Sequence, residues 1–194
     1  MLELDTILVK ERVGMLKISD TYDLVDPSTG NPVGLCKEHI AWWVHILRLA
    51  VNKRMLPTVV RITDQHEART FLEIRRGFSF LSPRVSVVDG QGKILGHLKS
   101  KLFSWGINFR ILDTAEQEIA SVKGDWKGWN FQLLSATGEI LGTITKKWAG
   151  LGKELFTSAD NYVVDLSGSA NKNASRKMLL AAALAIDTCF KEGN

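Results

Sequence analysis

Cysteine is nearly absent from this chain: Cys36 and Cys189 are the two in 194 residues. Two thiols make no disulfide framework, so reduced thiols and an intracellular setting are expected. A membrane-length apolar run is also missing. The most apolar stretch, Met178 to Ile186, falls well short of the ~20 residues a helix needs to cross a bilayer, and Asp187 interrupts its extension. No transmembrane span is therefore expected. The opening Met-Leu-Glu-Leu-Asp has neither the basic nor the apolar region of a secretory signal, and none is expected. Signatures of chemistry are equally scarce. His39, His45, His66 and His97 have no metal-ligand spacing with cysteines or carboxylates. There is no Gly-x-Ser-x-Gly, no Walker loop and no EF-hand. Gly90-x-Gly92-x-x-x-Gly96 runs on into Lys-Ile-Leu-Gly-His-Leu, a returning strand, where a dinucleotide loop would open a helix. No cofactor and no catalytic residue is nominated. With no recognition helix and no aromatic RNA-binding motif, no nucleic-acid partner is expected.

What is present is alternation. Apolar content is 45% and charged content 24%, enough for a normal core, and the length suits a single domain over 1–194. Short alternating segments recur from Leu4 to Lys10, Met15 to Ser19, Tyr22 to Val25, Val33 to Lys37, Thr58 to Thr63 and Phe71 to Arg75. From Val85 a hairpin repeats: Val-Ser-Val-Val-Asp89, Phe-Arg-Ile-Leu-Asp113 and Phe-Gln-Leu-Leu-Ser135, spaced 24 and 22 residues apart. Each is followed by a turn and a returning strand: Lys93 to Leu98, Gln117 to Lys123 and Glu139 to Thr145. Three turns carry Gly-x-x-x-Gly, at Gly30–Gly34, Gly92–Gly96 and Gly138–Gly142, where glycine permits positive φ or a bulge. A last pair, Leu155 to Thr157 and Tyr162 to Leu166, precedes the apolar run.

That run reads as a helix, because Ala and Leu favour helix and it is apolar on every side. A helix of that kind must be enclosed. Met178, Leu179, Leu180, Leu184, Ile186 and Phe190 would contribute on the order of 9–18 kcal/mol as an upper estimate, while four alanines keep the helix thin. Asn171, Asn173 and Ser175 are N-cap candidates. About a dozen antiparallel strands need closure to protect their edges. The expected fold is mainly β: a closed antiparallel barrel around the C-terminal helix, with one inserted helix over residues 38–55.

That inserted segment, Glu38 to Met55, places Glu38, His45, Arg48 and Asn52 on one polar stripe, and Pro57 ends it. It reads either as a plug for one barrel end or as an interfacial helix. In the second reading Trp42 and Trp43 anchor it, and Arg48, Lys53 and Arg54 face headgroups. Lys99, Lys101, Lys146 and Lys147, near Phe103, Trp105 and Trp148, are further candidates for a basic lipid-binding surface.

Ser158-Ala-Asp-Asn-Tyr-Val-Val-Asp-Leu166, followed by Leu179-Leu-Ala-Ala-Ala-Leu-Ala-Ile-Asp187, resembles the end of the phospholipid scramblase family. The hairpins with Val-Asp-x-x-Gly and Ile-Leu-Gly are similar to that family and to the LURP-one-related proteins, over about Leu4 to Phe190. The resemblance implies a tubby-like fold, a 12-stranded barrel around a C-terminal helix. It also implies phospholipid or phosphoinositide headgroups as partners, and Ca²⁺ at positions matching Asp160 and Asp165. Two carboxylates are few for an ion that takes six to eight oxygens, so Ca²⁺-triggered scrambling is not expected to carry over.

Three functions are consistent with these readings. The first is a non-enzymatic, cytoplasmic module that binds anionic phospholipid peripherally. The second is an interaction barrel docking a protein through the 38–55 helix. The third is an enzyme with a pocket at the barrel mouth near Asp64, His66 and Glu67.

Overall fold

The computed structural model describes residues 1, 3–12, 19–47, 49–51, 55–65, 69–78, 84–100, 107–125, 129–146, 161–168 and 173–190. Twelve strands follow one another: β1 Thr6–Glu11, β2 Thr21–Val25, β3 Pro32–His39, β4 Thr58–Asp64, β5 Thr70–Arg76, β6 Arg84–Asp89, β7 Ile94–Ser100, β8 Ile107–Leu112, β9 Glu118–Asp125, β10 Asn130–Ser135, β11 Ile140–Thr145 and β12 Tyr162–Asp165. Every neighbour in sequence is a neighbour in space, all pairs are antiparallel, and β1 closes the ring onto β12 with Thr6 opposite Asp165. The expected closed barrel is therefore the fold. The alternation at Met15 to Ser19 and at Leu155 to Thr157 predicts a strand in each. Residues 15–18 and 155–157 lie outside the described residues, and Ser19 is not in a strand. The ring closes through strands that include neither segment.

Helix α2, Asn173–Ala185, runs inside the ring and packs on β5, β6 and β7. Its face is buried all round: Leu180, Ala181, Ala183, Leu184 and Ala185 are at 0% exposure. Inward strand residues such as Ile7, Val60, Ile74, Val87, Ile111, Phe131 and Val164 close over it. Small side chains let the helix fit a barrel this narrow. At its start, the Arg176 guanidinium donates to Asp5 Oδ1 at 3.1 Å and to the Leu4 carbonyl at 2.7 Å, tying the helix to the approach to β1. Asp187 does not end the helical path. The chain continues as a π-helical turn, Ile186–Phe190, with Asp187 and Thr188 buried and Thr188 Oγ1 donating to the Leu184 carbonyl at 2.8 Å.

The paired glycines have two different jobs. Gly30, Gly92 and Gly138 turn the chain with φ of 72°, 86° and 89°. Gly34, Gly96 and Gly142 sit beside β-bulges, where the register slips against the partner strand.

The inserted helix is much shorter than expected. It is α1, Trp42–Leu47. Glu38 and His39 belong to β3, opposite Val60 and Val59 of β4. Glu38 is buried and accepts a hydrogen bond from Thr58 Oγ1 at 2.8 Å, so its helical spacing from His45 is incidental. Arg48 and residues 52–54 lie outside the described residues.

Candidate functional site

The short α1 follows β3 at the barrel end away from the tight hairpin turns. Val44 and Leu56 are each 1% exposed and anchor the segment, and the Arg76 guanidinium donates to the Leu56 carbonyl at 3.2 Å. The rest of the apolar surface points outward. Trp42 is 76% exposed, Leu49 89%, Ile46 60% and Phe78 56%. Trp43 stacks on Phe78 with ring centroids 5.9 Å apart, which joins α1 to the chain leaving β5. Five large apolar side chains at one apex form a patch of the kind that marks an interaction surface.

Below this apex lies a basic belt. Each of the seven consecutive strands β3 to β9 carries one outward cation: Lys37, Arg61, Arg75, Arg84, Lys99, Arg110 and Lys123. The other five strands together carry one, Lys10. Register sets like charges directly opposite one another, Lys37 beside Arg61 and Arg84 beside Lys99 beside Arg110. Such pairs destabilise a sheet, so folding alone does not favour this row. Three glutamates moderate it, Glu73, Glu116 and, 4.0 Å from Arg110, Glu118. Glu73 accepts from Arg61 at 2.8 Å and from Arg75 at 2.5 Å. Burial pushes the Glu73 carboxyl up, but those two arginines outweigh it and hold it below its ordinary value. Glu116 is held down chiefly by Lys99. Apex and belt are continuous through a groove of about 480 Å³ whose lining includes Arg75, Arg76, Phe78, Arg84, Ser86 and Ile94.

Two histidines sit in the belt. His39 is lowered by partial burial and then by Arg61 and Lys37. His97 is lowered by burial and by Arg84 and Lys99, against the pull of Glu116. In the unfolded chain both return to about 6.5. A group with a depressed folded value contributes fully above the unfolded value and loses that contribution as pH falls below it. The urea midpoint is therefore expected to drop between about pH 7.5 and pH 5.5, and a His39→Asn/His97→Asn variant should show a shallower drop. Equal slopes in parent and variant would contradict this.

The residues expected from sequence are only partly brought together. Trp42 and Trp43 form the apex, and Lys99 lies in the belt. Lys146 is half-way round the ring from β4; its ammonium lies 4.7 Å from the Trp129 ring centroid, where it packs against a rim tryptophan. Arg48, Lys53, Arg54, Lys101, Lys147 and Asp160 lie outside the described residues. Asp165 accepts from the Ser167 N–H at 2.9 Å at the opposite end from α1. Among the described residues, no group of three or more His, Cys, Asp or Glu is gathered as a metal site. His66 and Glu67 are outside the described residues, and Asp64 lies 4.0 Å from the N-terminal ammonium. Phe78, Arg61 and Glu116 were not among the expected site residues, whereas Arg75 and Arg84 belong to the basic residues along the strands for which a one-sided patch is the functional reading. The run Arg75-Arg-Gly-Phe78, two arginines and an aromatic leaving a strand, was the available signal.

The family model for Scramblase matches residues 1–192. A phospholipid scramblase family protein of Schizosaccharomyces pombe is 25% identical over 133 residues, covering 62% of this chain and 35% of that protein. The match thus spans about a third of that relative's length. No solved structure matches the chain.

Proposed function

Since this chain belongs to the scramblase family, we propose that it is a non-enzymatic module that binds anionic phospholipid at a membrane surface, with the α1 apex inserted and the basic belt facing headgroups. One observation carries this reading: the exposed apolar apex is contiguous with a row of seven outward cations, one on each of the consecutive strands β3 to β9. An even scatter of cations round the ring would have removed its support. Each cation near an anionic surface adds about 1 kcal/mol. Ile46, Leu49 and Phe78 add roughly 1.5–3 kcal/mol apiece when fully buried, and tryptophan favours the interface. Among the described residues no helix is long and apolar enough to cross a membrane, which suits attachment from one side.

The test is flotation with neutral and anionic liposomes across a salt series. The expected result is binding that needs anionic lipid and weakens with salt, because exposed charges are screened within about 10 Å at 0.1 M. Absence of flotation at low salt would overturn the proposal. It would favour the second reading, a protein partner docked on Trp42, Ile46 and Leu49, which the exposed patch also supports.

A further inference from the structure

Glu116 turns the chain between β8 and β9 with φ of 62°. In three sister hairpins the same place belongs to Gly30, Gly92 and Gly138. The hairpins correspond, because each carries a bulge in the strand just after its turn, here at Ile119, since Ile111 pairs with Ala120 and Leu112 with Glu118. Glycine adopts the left-handed region without penalty and glutamate does not. A strained residue thus holds a glycine's place, and its side chain explains what it does there. The carboxylate reaches the outer face of β6 and β7. Oε2 accepts from Lys99 Nζ at 2.5 Å, and Oε1 accepts from the Arg84 guanidinium. His97 Nε2 lies 3.9 Å from Oε1, and His97 Nδ1 is 3.2 Å from Ser86 Oγ. Arg84 faces Lys99 and Ser86 faces His97 across the two strands, so the four side chains form a two-by-two square.

We propose that this square is a binding site for a phosphate monoester and that the Glu116 carboxylate occupies the phosphate's place until the ligand displaces it. The lipid arm of the proposal rests on the membrane-surface reading; the soluble arm does not. Arg84 and Lys99 repel each other across adjacent strands and need an anion between them. A carboxylate offers two oxygens, both already engaged. A phosphate monoester brings more charge and three acceptor oxygens. Two would serve Arg84 and Lys99, leaving one for His97, which Glu116 leaves beyond hydrogen-bond distance. Release of Glu116 is easy, since its side chain is 44% exposed and exposed ion pairs hold weakly. Arg84 and Ser86 also line the groove below Phe78, so the square opens toward the apex.

Glycerol phosphate is the soluble probe. Phosphatidylcholine vesicles carrying phosphatidate, a lipid monoester, or phosphatidylserine at equal charge are the membrane probes. Glu116→Gln and Glu116→Gly should bind glycerol phosphate roughly fivefold to tenfold tighter than the parent. Glycine also relieves the turn, so that variant guards against misfolding. Glu118→Gln removes the same charge beside Arg110, 4.0 Å away, and should gain much less. Adding Arg84→Ala to Glu116→Gln should abolish the gain. Equal gains at positions 116 and 118 would mean general electrostatics and overturn the site. Failure of every variant to bind glycerol phosphate, with flotation on phosphatidylserine intact, would overturn the site and leave the surface reading standing. Tight glycerol phosphate binding without preference for phosphatidate would support the square and assign its ligand to solution.

Discussion

Alanine at Gly96 is expected to destabilise the barrel by about 3 kcal/mol or more, whereas alanine at Gly92, four residues away, costs about 1 kcal/mol. The two glycines belong to one motif and fail for different reasons. At Gly92 the φ of 86° is unfavourable to a side chain, but nothing lies within 4 Å of an added Cβ. At Gly96 an added Cβ would lie 2.2 Å from the Leu112 carbonyl oxygen and 2.9 Å from Met178 Cε. The first contact is backbone of the paired strand β8, and the second is the enclosed helix. Methionine can swing away; the carbonyl cannot without opening the β7–β8 ladder. Gly142 repeats the arrangement, with the Asp165 carbonyl oxygen 2.3 Å from an added Cβ. Urea midpoints for the two single variants would decide it. A loss at Gly96 no larger than at Gly92 would mean that strand and helix shift apart freely, contrary to a ring packed to 0% exposure around α2.

The same packing explains how much of the fold could be read from the chain. Inward positions on each strand must be apolar or small, so a period of two marks most described strands to within a few residues. A short continuous apolar run marks β1 and β12, where Ile7, Leu8 and Val9, and Tyr162, Val163 and Val164, are all buried. The enclosed helix lacks a polar face, so Met178 to Ile186 was recognisable at once. Errors arose where partners decide. Glu38 and His39 match a helical stripe with His45, but β4 supplies ladder partners and Thr58 supplies a buried hydrogen bond. The continuation past Asp187 was legible, and the π-helical turn keeps Asp187 inside the barrel. The basic belt was visible as scattered lysines and arginines, while its one-sidedness depends on strand order and register. The Glu116 latch was illegible because its partners Lys99 and Arg84 lie 17 and 32 residues away. The apex was half legible: Trp42 and Trp43 announce themselves, but Phe78 joins them only through the stacking on Trp43.

A Trp42→Ala/Leu49→Ala variant is expected to lose about a hundredfold in partitioning onto anionic vesicles while its thermal unfolding stays nearly unchanged. The stability half follows from exposure. At 76% and 89% the two side chains contribute little to the core, and exposed substitutions usually stay within about 0.5 kcal/mol. The binding half follows from burial in the bilayer interface. A fully buried leucine is worth roughly 1.5–3 kcal/mol, and an inserted tryptophan contributes on the same order, since large aromatic rings dominate interface energetics. Together they exceed the roughly 2.7 kcal/mol that a hundredfold change requires. The variant separates the two components of the site. Removing apolar anchors should lower affinity at every salt concentration and leave the steepness of the salt response alone. Removing belt cations, for instance Arg75→Ala with Lys37→Ala, should flatten that steepness, because fewer charges are screened. A Trp42→Ala/Leu49→Ala protein that still floats like the parent would show that the apex does not enter the bilayer. The belt would then be the whole of the membrane contact, and the five exposed apolar side chains would have to be assigned to a protein partner instead.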